Sequence, residues 1–463
     1  MAKKIVVVGS GLGGSVFANS AKAHGEVTVL EKGPRTGIRY PTLRFIRSRI
    51  GTTNTFCYGA GGTTNLWDNG LIPMRASDIT EPAARAVLAD AEAYTDEAAF
   101  QLHFKAGSFR DQFLAVQKKV NQLMRGVGGL ANDIDCLLYP KGHKPQSLSE
   151  DVDRYFAVQN LTVKCSGNAV TEVGFVVDGE SRRLPCDQLV ISAGTMGSPQ
   201  VVNTCLRTVG ASVPLAGRGL IDHPMGFVGK IRVSADFATK LHHFARADYG
   251  SFYARHMIRV KSACGAYSGA AFLRPSSTMT NDPKLYRFKS ALGASKGIRR
   301  IRNAFSPRIF HPDVVTEIHQ HLTGRQSKSR TFAILFITEQ RASANEVQAD
   351  ENEVAIDWQI NSLEFGKYRE MLEKLKEILA PNVQRIALKT ELSGDWLWSA
   401  AHHSGTVAFG DGEHDLLDRN LRLKALNNVF VCDASVLPEH SYTNTGLTIA
   451  QLALRLSGHL QHG

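Results

Sequence analysis

The sequence lacks paired cysteines, long apolar runs and internal repeats. Its seven cysteines are widely scattered, without a CxxC pair, so zinc or iron–sulfur sites and thiol-exchange chemistry are excluded as functions. No apolar run approaches the roughly 20 residues that cross a bilayer, and residues 1–14 do not follow the pattern of a signal peptide. We therefore expect a cytoplasmic protein whose thiols are reduced and which holds no metal.

The composition indicates a globular protein with large cores. The chain has 463 residues, of which 43% are hydrophobic, which excludes disordered, fibrous and small disulfide-stapled proteins. At roughly 150 residues a domain, two or three domains are expected. Lysine and arginine number 54 against 43 acidic residues, and the net charge is +11.

The N-terminal region predicts one βαβ unit with a glycine-rich turn. An apolar run at residues 5–8 leads directly into a G-x-G-x-x-G pattern, as in a strand that is followed by a nucleotide-binding helix. Gly9 would make the tight turn, Gly11 would let the backbone approach a pyrophosphate, and Gly14 would let helix and strand pack closely. The helix N-terminus would favour the anion.

An acid ends the second strand of this unit. Residues 26–30 are apolar at alternate positions, and Glu31 follows them. Its carboxylate can accept hydrogen bonds from ribose hydroxyls and would repel a 2′-phosphate, which disfavours NADP. At this point the pattern leaves NAD and FAD open.

Two later segments add candidate ligand contacts. A glycine-rich loop at 59–75 offers Gly62, Thr63, Thr64 and Asn65 to a flat polar ligand, although an ordinary surface turn has a similar composition. A buried strand near 188–192 ends at Ala193 and Gly194, and a helix is expected to start near Ser198 with Pro199 at its first position. Both would grip one nucleotide cofactor from separate pieces of chain.

The C-terminal segment has, like the N-terminal one, a buried strand and a later apolar helix. A buried strand near 428–432 ends at Asp433 and Ala434. An apolar helix opens at Thr445 and Gly446 and runs to about residue 460.

Five segments together resemble the glucose-methanol-choline (GMC) family of flavin-dependent alcohol oxidoreductases. They occur in the family's order and are the N-terminal glycines, the Gly-Gly-Thr-Thr-Asn loop, Gly194-x-x-x-Ser198-Pro199, the 217–224 segment that ends in Asp222-His223-Pro224, and the block containing His402 and Asn444. The glycine loop is most similar to the sugar-oxidising branch. The middle third, about 236–394, carries little resemblance.

The resemblance implies FAD as cofactor and assigns the catalytic residues. His402 matches the family's base, and Asn444 matches the group that fixes the substrate hydroxyl. Histidine is suited to removing the hydroxyl proton of an alcohol because its ordinary pKa is about 6.5, close to neutral pH. His403 would be the base if the alignment were wrong by one residue, and a pair of ordinary buried histidines is the bland alternative. His440 could also reach the pocket, although a plain loop histidine is favoured.

Some positions depart from the family's pattern. Asn444 is followed by Thr445 instead of proline, and the positions where some members tether the flavin to a histidine are here Asn65, Leu66 and Trp67. The FAD is therefore expected to be non-covalent. The helix that opens at Gly446 would place its N–H groups beside the negative charge of the reduced flavin.

The implied fold is α/β (α+β overall), with a Rossmann-like FAD-binding domain and a discontinuous arrangement of domains. The FAD-binding domain would comprise 1–75, 155–235 and 395–463. A helical excursion would span 76–154, and 236–394 would form a substrate-binding domain built on an antiparallel sheet. Residues 331–337 and 353–358 are expected to be strands of one sheet over the flavin.

The basic residues concentrate in the middle of the chain. Residues 230–330 hold 19 Lys and Arg against 5 acidic residues, with a dense part at 284–308 that includes Arg299, Arg300 and Arg302. A solvated face is the plain explanation; a binding surface for an anionic or carrier-linked substrate, an acidic protein or an anionic membrane is the alternative. Nucleic acid is disfavoured, because no binding module accompanies the charge.

The sequence thus predicts an enzyme that oxidises a small-molecule alcohol, a sugar, cyclitol or similar polar compound, to a carbonyl. It does not distinguish an oxidase from a dehydrogenase, nor oxygen, a quinone or a protein as electron acceptor. Two alternatives stay open: a non-redox lyase or light-driven enzyme on the same scaffold, and a non-catalytic FAD-binding protein. The His319 and His321 pair has no third ligand nearby, so no metal is expected there.

Overall fold

The computed structural model describes residues 2–47, 55–127, 133–211, 215–294, 306–323, 328–341, 344–350 and 353–462. Its strands are β1 (Lys3–Val8), β2 (Gly25–Leu30), β3 (Thr42–Phe45), β4 (Ile134–Pro140), β5 (Asp153–Tyr155), β6 (Gln159–Ser166), β7 (Ala169–Val177), β8 (Glu180–Pro185), β9 (Gln188–Ile191), β10 (Pro224–Arg232), β11 (Ala247–Asp248), β12 (Phe252–Lys261), β13 (Ser268–Ser276), β14 (Thr331–Thr338), β15 (Glu346–Ala349), β16 (Glu353–Asp357), β17 (Arg385–Leu388), β18 (Trp398–Ser399) and β19 (Val429–Val431). Its helices are α1 (Leu12–Ala21), α2 (Pro82–Ala91), α3 (Thr95–Gln101), α4 (Phe109–Leu123), α5 (Gly194–Thr208), α6 (Ala235–Ala245), α7 (Pro283–Ala294), α8 (Pro312–Thr323), α9 (Ser362–Leu379) and α10 (Gly446–His462).

A parallel sheet carries the Rossmann-like part of the fold. Its strand order is β19-β9-β1-β2-β5, and all four pairings are parallel. Because β1 is covered on both faces, Ile5, Val6 and Val7 are each at most 2% exposed. The helices α1 and α10 pack against each other on one face. The predicted βαβ unit is therefore present at the N-terminus.

An antiparallel sheet forms the second layer. Its order is β11-β12-β13-β14-β10-β17, with β4 paired to β12 and β18 paired to β10. Helices α6 and α9 cover it through a core of aliphatic and aromatic side chains. The mixed α/β class with an antiparallel sheet is thus confirmed.

Two smaller sheets complete the described part of the chain. One has the order β15-β16-β3 and the other β6-β7-β8. The expectation that residues 331–337 and 353–358 share a sheet is wrong, because β14 lies between β13 and β10 while β16 pairs with β15 and β3. Both segments are apolar strands, and their sequences do not encode which strand pairs with them.

Several sheet members lie outside the segments expected for them. Strand β10 belongs to the antiparallel sheet, and β4, within the expected helical excursion, extends that sheet next to β12. The division of the chain into domains stays a prediction. Within the described residues, no helix is both long and apolar enough to cross a membrane.

Candidate active site

The glycine-rich turn joins β1 to α1 and faces a large cavity. Gly9 has φ of 105°, and a Cβ there would lie 2.2 Å from the Ser192 carbonyl oxygen. A Cβ on Gly14 would lie 2.1 Å from the Gly9 carbonyl oxygen, whereas a Cβ on Gly11 would meet nothing within 4 Å. Two glycines therefore permit close packing, and Gly11 leaves its side of the backbone open to a ligand.

Glu31 lies at the end of β2, where the sequence places it, but its carboxylate is already well bonded. One oxygen accepts from the backbone N–H and hydroxyl of Ser10, and the other accepts from the N–H groups of Gly33 and Gly59. The side chain still lines the cavity. These four bonds use both lone pairs of each oxygen and hold the carboxylate rigidly, so it could accept a ribose hydroxyl only in place of one of them.

The four residues Gly62–Asn65 form a 3-10 turn that lines the same cavity. Gly62 has φ of 52°. Thr64 bonds the Gly61 carbonyl and receives the Gln146 N–H, so its side chain holds the loop together. The Asn65 amide donates to the carbonyls of Ala60 and Gly62. Thr63 and Asn65 are both exposed, which leaves the Thr63 hydroxyl and the Asn65 amide oxygen for a ligand.

The ends of β9 and β19 meet at Asp433. Its carboxylate accepts from the N–H groups of Gly194 and Ser435 and from the Ser198 hydroxyl, at 2.6–2.8 Å. Burial raises the pKa of this carboxyl, and the hydrogen bonds oppose that effect. Asp433 and Ala434 line the cavity together with Ala193 and Gly194.

The predicted start of helix α5 is wrong. The helix begins at Gly194 and contains Pro199, with Ala193 as its N-cap. Because Gly194 has φ of 75°, the chain turns into the helix directly from β9. Ser198 lies inside the helix, and its hydroxyl accepts the backbone N–H of Ala193. The serine thus bonds the N-cap residue but is not itself the N-cap.

Helix α10 points its N-terminus at the cavity. Thr445 and Gly446 lie on the wall, and the Trp67 indole packs against Gly446 so closely that a Cβ there would be 2.0 Å from the ring. The Trp67 Nε1–H donates to His143 Nε2 at 3.0 Å. The first N–H groups of this helix have no partner within the helix and carry its positive end.

All these elements enclose one cavity of about 1530 Å³. Pockets for drug-sized ligands usually have about 300–1,000 Å³, so this cavity has room for a dinucleotide and a substrate together. Two helix N-termini and the open face of Gly11 suit a pyrophosphate and an electron-rich ring edge. The donor set therefore fits FAD, and the residues at 65–67 offer no histidine for a covalent bond.

The segment that contains His402 and His403 also lines the cavity and is held by a buried aspartate. Asp222 is fully buried and accepts the backbone N–H groups of His223 and His402, at 2.7 and 2.9 Å. It also accepts the Ser399 hydroxyl. Burial alone would raise the pKa of this carboxyl, but the neighbouring His403 imidazole and the hydrogen bond from Ser399 lower the pKa to about 2.

The ring of His402 is oriented by His223. The two Nδ1 atoms are 2.8 Å apart, and His223 Nε2 lies 2.7 Å from the Ser441 carbonyl oxygen. A carbonyl only accepts, so His223 carries its proton on Nε2 and accepts at Nδ1. His402 must then donate from Nδ1, and its Nε2 keeps the lone pair. His402 lines the cavity, so this tautomer presents a proton acceptor to a bound ligand.

Burial keeps these rings neutral. It lowers the pKa of His402 to about 4, although Asp222 acts in the opposite direction. It also lowers the pKa of His223 far below the usual value, with further contributions from His440 and His402. A neutral His402 is ready to accept a proton at pH 7.

The other two candidate histidines are placed differently. His403 also lines the cavity, but its Nδ1 lies 3.2 Å from the Asp222 carboxylate, and both ring nitrogens are buried without a hydrogen-bond partner in the described residues. His440 is fully buried, and its ring centroid lies 3.9 Å from that of His223. It supports His223 from behind and does not line the cavity.

Asn444 reaches the same cavity from the loop before α10. Its Nδ2 donates to the Gly70 carbonyl oxygen at 3.1 Å. One N–H and the amide oxygen are left for a ligand.

Sequence reasoning missed several residues of this site. It quoted Asp222 and His223 within a family segment but gave them no role. It did not single out Arg255, Arg274 and Lys289, which also line the cavity. The Asp-His-Pro triplet is the signal that could have identified the first two.

Two earlier expectations fall outside what can be described. The dense basic part at 284–308 includes residues 295–305, and with them Arg299, Arg300 and Arg302, which lie outside the described residues. The His321 side chain is likewise not described. In the remainder of the chain, no group of three metal-ligating side chains comes together.

Comparison with known proteins agrees with this geometry. Residues 342–453 match the family model of the GMC oxidoreductases, described as "GMC oxidoreductase", and residues 7–66 match an NAD(P)-binding Rossmann-like domain. No curated protein sequence matches the chain.

Two solved structures have a similar fold over the whole chain. One is pyridoxine 4-oxidase from Mesorbium loti, with a TM-score of 0.59, 15% identity and coverage of 100% of this chain and 99% of that one. The other is an FAD-dependent oxidoreductase from Chaetomium thermophilum, with a TM-score of 0.58, 14% identity and 99% coverage of each chain. The chain therefore contains a Rossmann-like nucleotide-binding domain at 7–66 and a GMC oxidoreductase domain at 342–453, and its cavity fits a non-covalently bound FAD.

Proposed function

We propose that this protein oxidises a hydroxyl group of a polar alcohol, such as a sugar or cyclitol, to a carbonyl. The observation that carries the proposal is the lone pair on His402 Nε2, which the hydrogen bonds of His223 direct to the cavity. When bound, FAD supplies the acceptor for the hydride that leaves the substrate carbon.

His402 acts as the general base. Its Nε2 takes the hydroxyl proton, while Nδ1–H stays bonded to His223. A positioned base of this kind contributes about 10²–10⁴ in rate. Asp222 stabilises the cation that forms, because its carboxylate holds the His402 backbone N–H and favours positive charge on the ring.

Asn444 positions the substrate. Its Nδ2 is fixed by the Gly70 carbonyl, and the remaining N–H can donate to the substrate oxygen from which His402 takes the proton. The N-terminus of α10 places partial positive charge beside the ligand, where negative charge develops during the reaction.

His403 is the weaker candidate for the base. Both of its ring nitrogens are enclosed by protein, and Nδ1 faces Asp222. Removing a proton from a ligand in the cavity would require the ring to turn away from this carboxylate.

Anaerobic mixing of the FAD-loaded protein with a panel of alcohols tests the reaction class. The panel includes sugars, cyclitols and pyridoxine, the last because one similar structure is a pyridoxine 4-oxidase. We expect at least one alcohol to bleach the visible flavin absorbance in the dark. A lyase would form product with the oxidised spectrum intact, a light-driven enzyme would react only under illumination, and a non-catalytic protein would do neither.

A further inference from the structure

We propose that the substrate alcohol is an anion whose carboxylate or phosphate group is bound by Arg274, Arg255 and Lys289. These residues line the half of the cavity that faces the antiparallel sheet. The proposal rests on the alcohol oxidation proposed above and names the class of alcohol.

Arg274 is the centre of this group. It lies on β13 and lines the cavity, and it is exposed to solvent. Among the described residues, no ion pair or hydrogen bond of its guanidinium is found. Burial and the neighbouring Arg255 lower the pKa of Arg274 to about 10, so the group stays charged at neutral pH without a counter-ion in contact.

Arg255 lies on the adjacent strand. Strands β12 and β13 are antiparallel, and Ile258 pairs with Ala271. Arg255 and Arg274 each lie three residues beyond this pair, at the same end of the two neighbouring strands. The Arg255 guanidinium stacks on the Tyr139 and Tyr253 rings, at 5.0 and 5.6 Å from their centroids. These rings fix its position, and no carboxylate of a described residue forms an ion pair with it.

Lys289 on α7 faces the same region. Its Nζ lies 2.5 Å from a Glu317 carboxylate oxygen, and burial lowers the pKa of Lys289 to about 8, with Arg274 among the groups that act in the same direction. Asp68 also lies on the cavity wall. This part of the cavity therefore has three cationic side chains and two carboxylates, those of Glu317 and Asp68, and only Glu317 contacts one of the cations.

An anionic ligand would complete this arrangement. A bound substrate would displace water from these cations, and a charge that loses its water without gaining a partner is costly. The planar guanidinium of arginine binds carboxylate or phosphate through paired hydrogen bonds. The cofactor pyrophosphate has its own fitting site at the N-terminus of α1, on a different sheet. The cations on β12 and β13 are then left for the substrate.

Anion binding to the FAD-loaded protein tests the proposal without needing turnover. Malonate and inorganic phosphate serve as carboxylate and phosphate probes, and binding is followed by the perturbed flavin spectrum and by calorimetry. We expect at least one probe to bind, and Arg274→Gln to weaken it at least about tenfold. The matched control is Arg232→Gln, an exposed arginine on β10 of the same sheet, which should bind the probe as the unmodified protein does.

The outcomes separate the two proposals. If neither anion binds, or if Arg274→Gln binds as tightly as the control, the anionic class is wrong even when neutral alcohols still reduce the flavin. If Arg274→Gln loses FAD, the cations serve the cofactor and the proposal is also wrong. If anions bind as expected but no alcohol reduces the flavin, the proposed oxidation fails instead.

Discussion

At the scale of single residues, the proton positions on two histidines decide the chemistry of the cavity. Ser441 offers only a carbonyl oxygen to His223, and this one acceptor sets the tautomer of both His223 and His402. Replacing either imidazole therefore changes the protonation pattern of its neighbour as well as its own contacts.

We expect the acid limb of the pH profile to lie unusually low. His402 must be neutral to act as a base, and its pKa is lowered to about 4 by burial, whereas an ordinary histidine has a pKa of about 6.5. The value of kcat/KM should therefore stay high down to about pH 5 and fall as the pH drops through about 4. A limb near pH 6.5 would contradict the assignment of a buried neutral His402.

Substitutions at His223 separate its positioning role from a purely structural one. In His223→Leu, His402 Nδ1–H loses its acceptor, and we expect the rate of flavin reduction to fall by about 10- to 100-fold. In His223→Gln the side-chain amide can still accept from His402 and donate to Ser441, so the rate should lie between that of the unmodified protein and His223→Leu. Equal rates for both variants, with unchanged pH profiles, would show that His223 does not orient the base.

Some of this site could be predicted from the sequence and some could not. The glycines and Glu31 lie within one local βαβ unit, so their spacing alone places them. The contact of the 222–223 segment with the 402–403 segment depends on an isolated antiparallel bridge between Ile221 and Ser404. A pairing between such distant positions has no local sequence signal.

At the scale of elements, one buried ion pair attaches helix α8 to the antiparallel sheet. Lys230 on β10 and Asp313 on α8 are in contact at 2.5 Å, and their side chains are 0% and 2% exposed. Asp313 also accepts from Ser276, Ser277 and Thr278 at the end of β13. Glu317 of the same helix pairs with Lys289, so the position of α8 affects the cavity wall.

Breaking this pair from one side should be costly. We expect Asp313→Leu to reduce the free energy of unfolding by about 3–5 kcal/mol, because it leaves a buried ammonium without its partner. The double variant Lys230→Met/Asp313→Leu should recover a large part of that loss. Denaturant unfolding measures both, with Asp248→Ala as control, since the exposed pair of Lys141 and Asp248 should contribute only about 0–1 kcal/mol. A single variant as stable as the control would contradict this account.

The elements themselves were largely predictable where their pattern is periodic or continuously apolar. Strands β1, β2, β9 and β19 and helix α10 lie close to where the sequence places them. The start of α5 was misplaced because a glycine with positive φ begins the helix directly after the strand, which leaves Pro199 inside the helix. Proline there cannot donate to the Thr195 carbonyl, and that carbonyl accepts the Thr406 hydroxyl instead.

At the scale of the whole molecule, several buried histidines make the fold sensitive to acid. Burial lowers the pKa of His402 and His256 to about 4 and that of His440 to about 3. In the unfolded chain these histidines bind protons from about pH 6.5 downward, whereas in the folded protein they stay neutral until about pH 4. Stability should therefore fall as the pH drops through this window. Glu339 acts oppositely, because burial raises its pKa to about 7.

The histidine contribution can be isolated at His256, which is buried, is not among the residues that line the cavity, and donates its Nδ1–H to the Phe244 carbonyl oxygen. We expect His256→Phe to flatten the decline of Tm between pH 6.5 and 4.5, because one proton-binding group is removed from the unfolded chain. A decline as steep as that of the unmodified protein would show that this histidine is not held neutral.

The most direct test of the central claim is the rate of flavin reduction in His402→Ala, measured by anaerobic stopped flow beside His403→Ala with a substrate found in the alcohol panel. We predict that His402→Ala retains FAD and reduces it about 10²- to 10⁴-fold more slowly than the unmodified protein, and that His403→Ala is impaired less. An unchanged rate in His402→Ala with FAD bound would contradict the account.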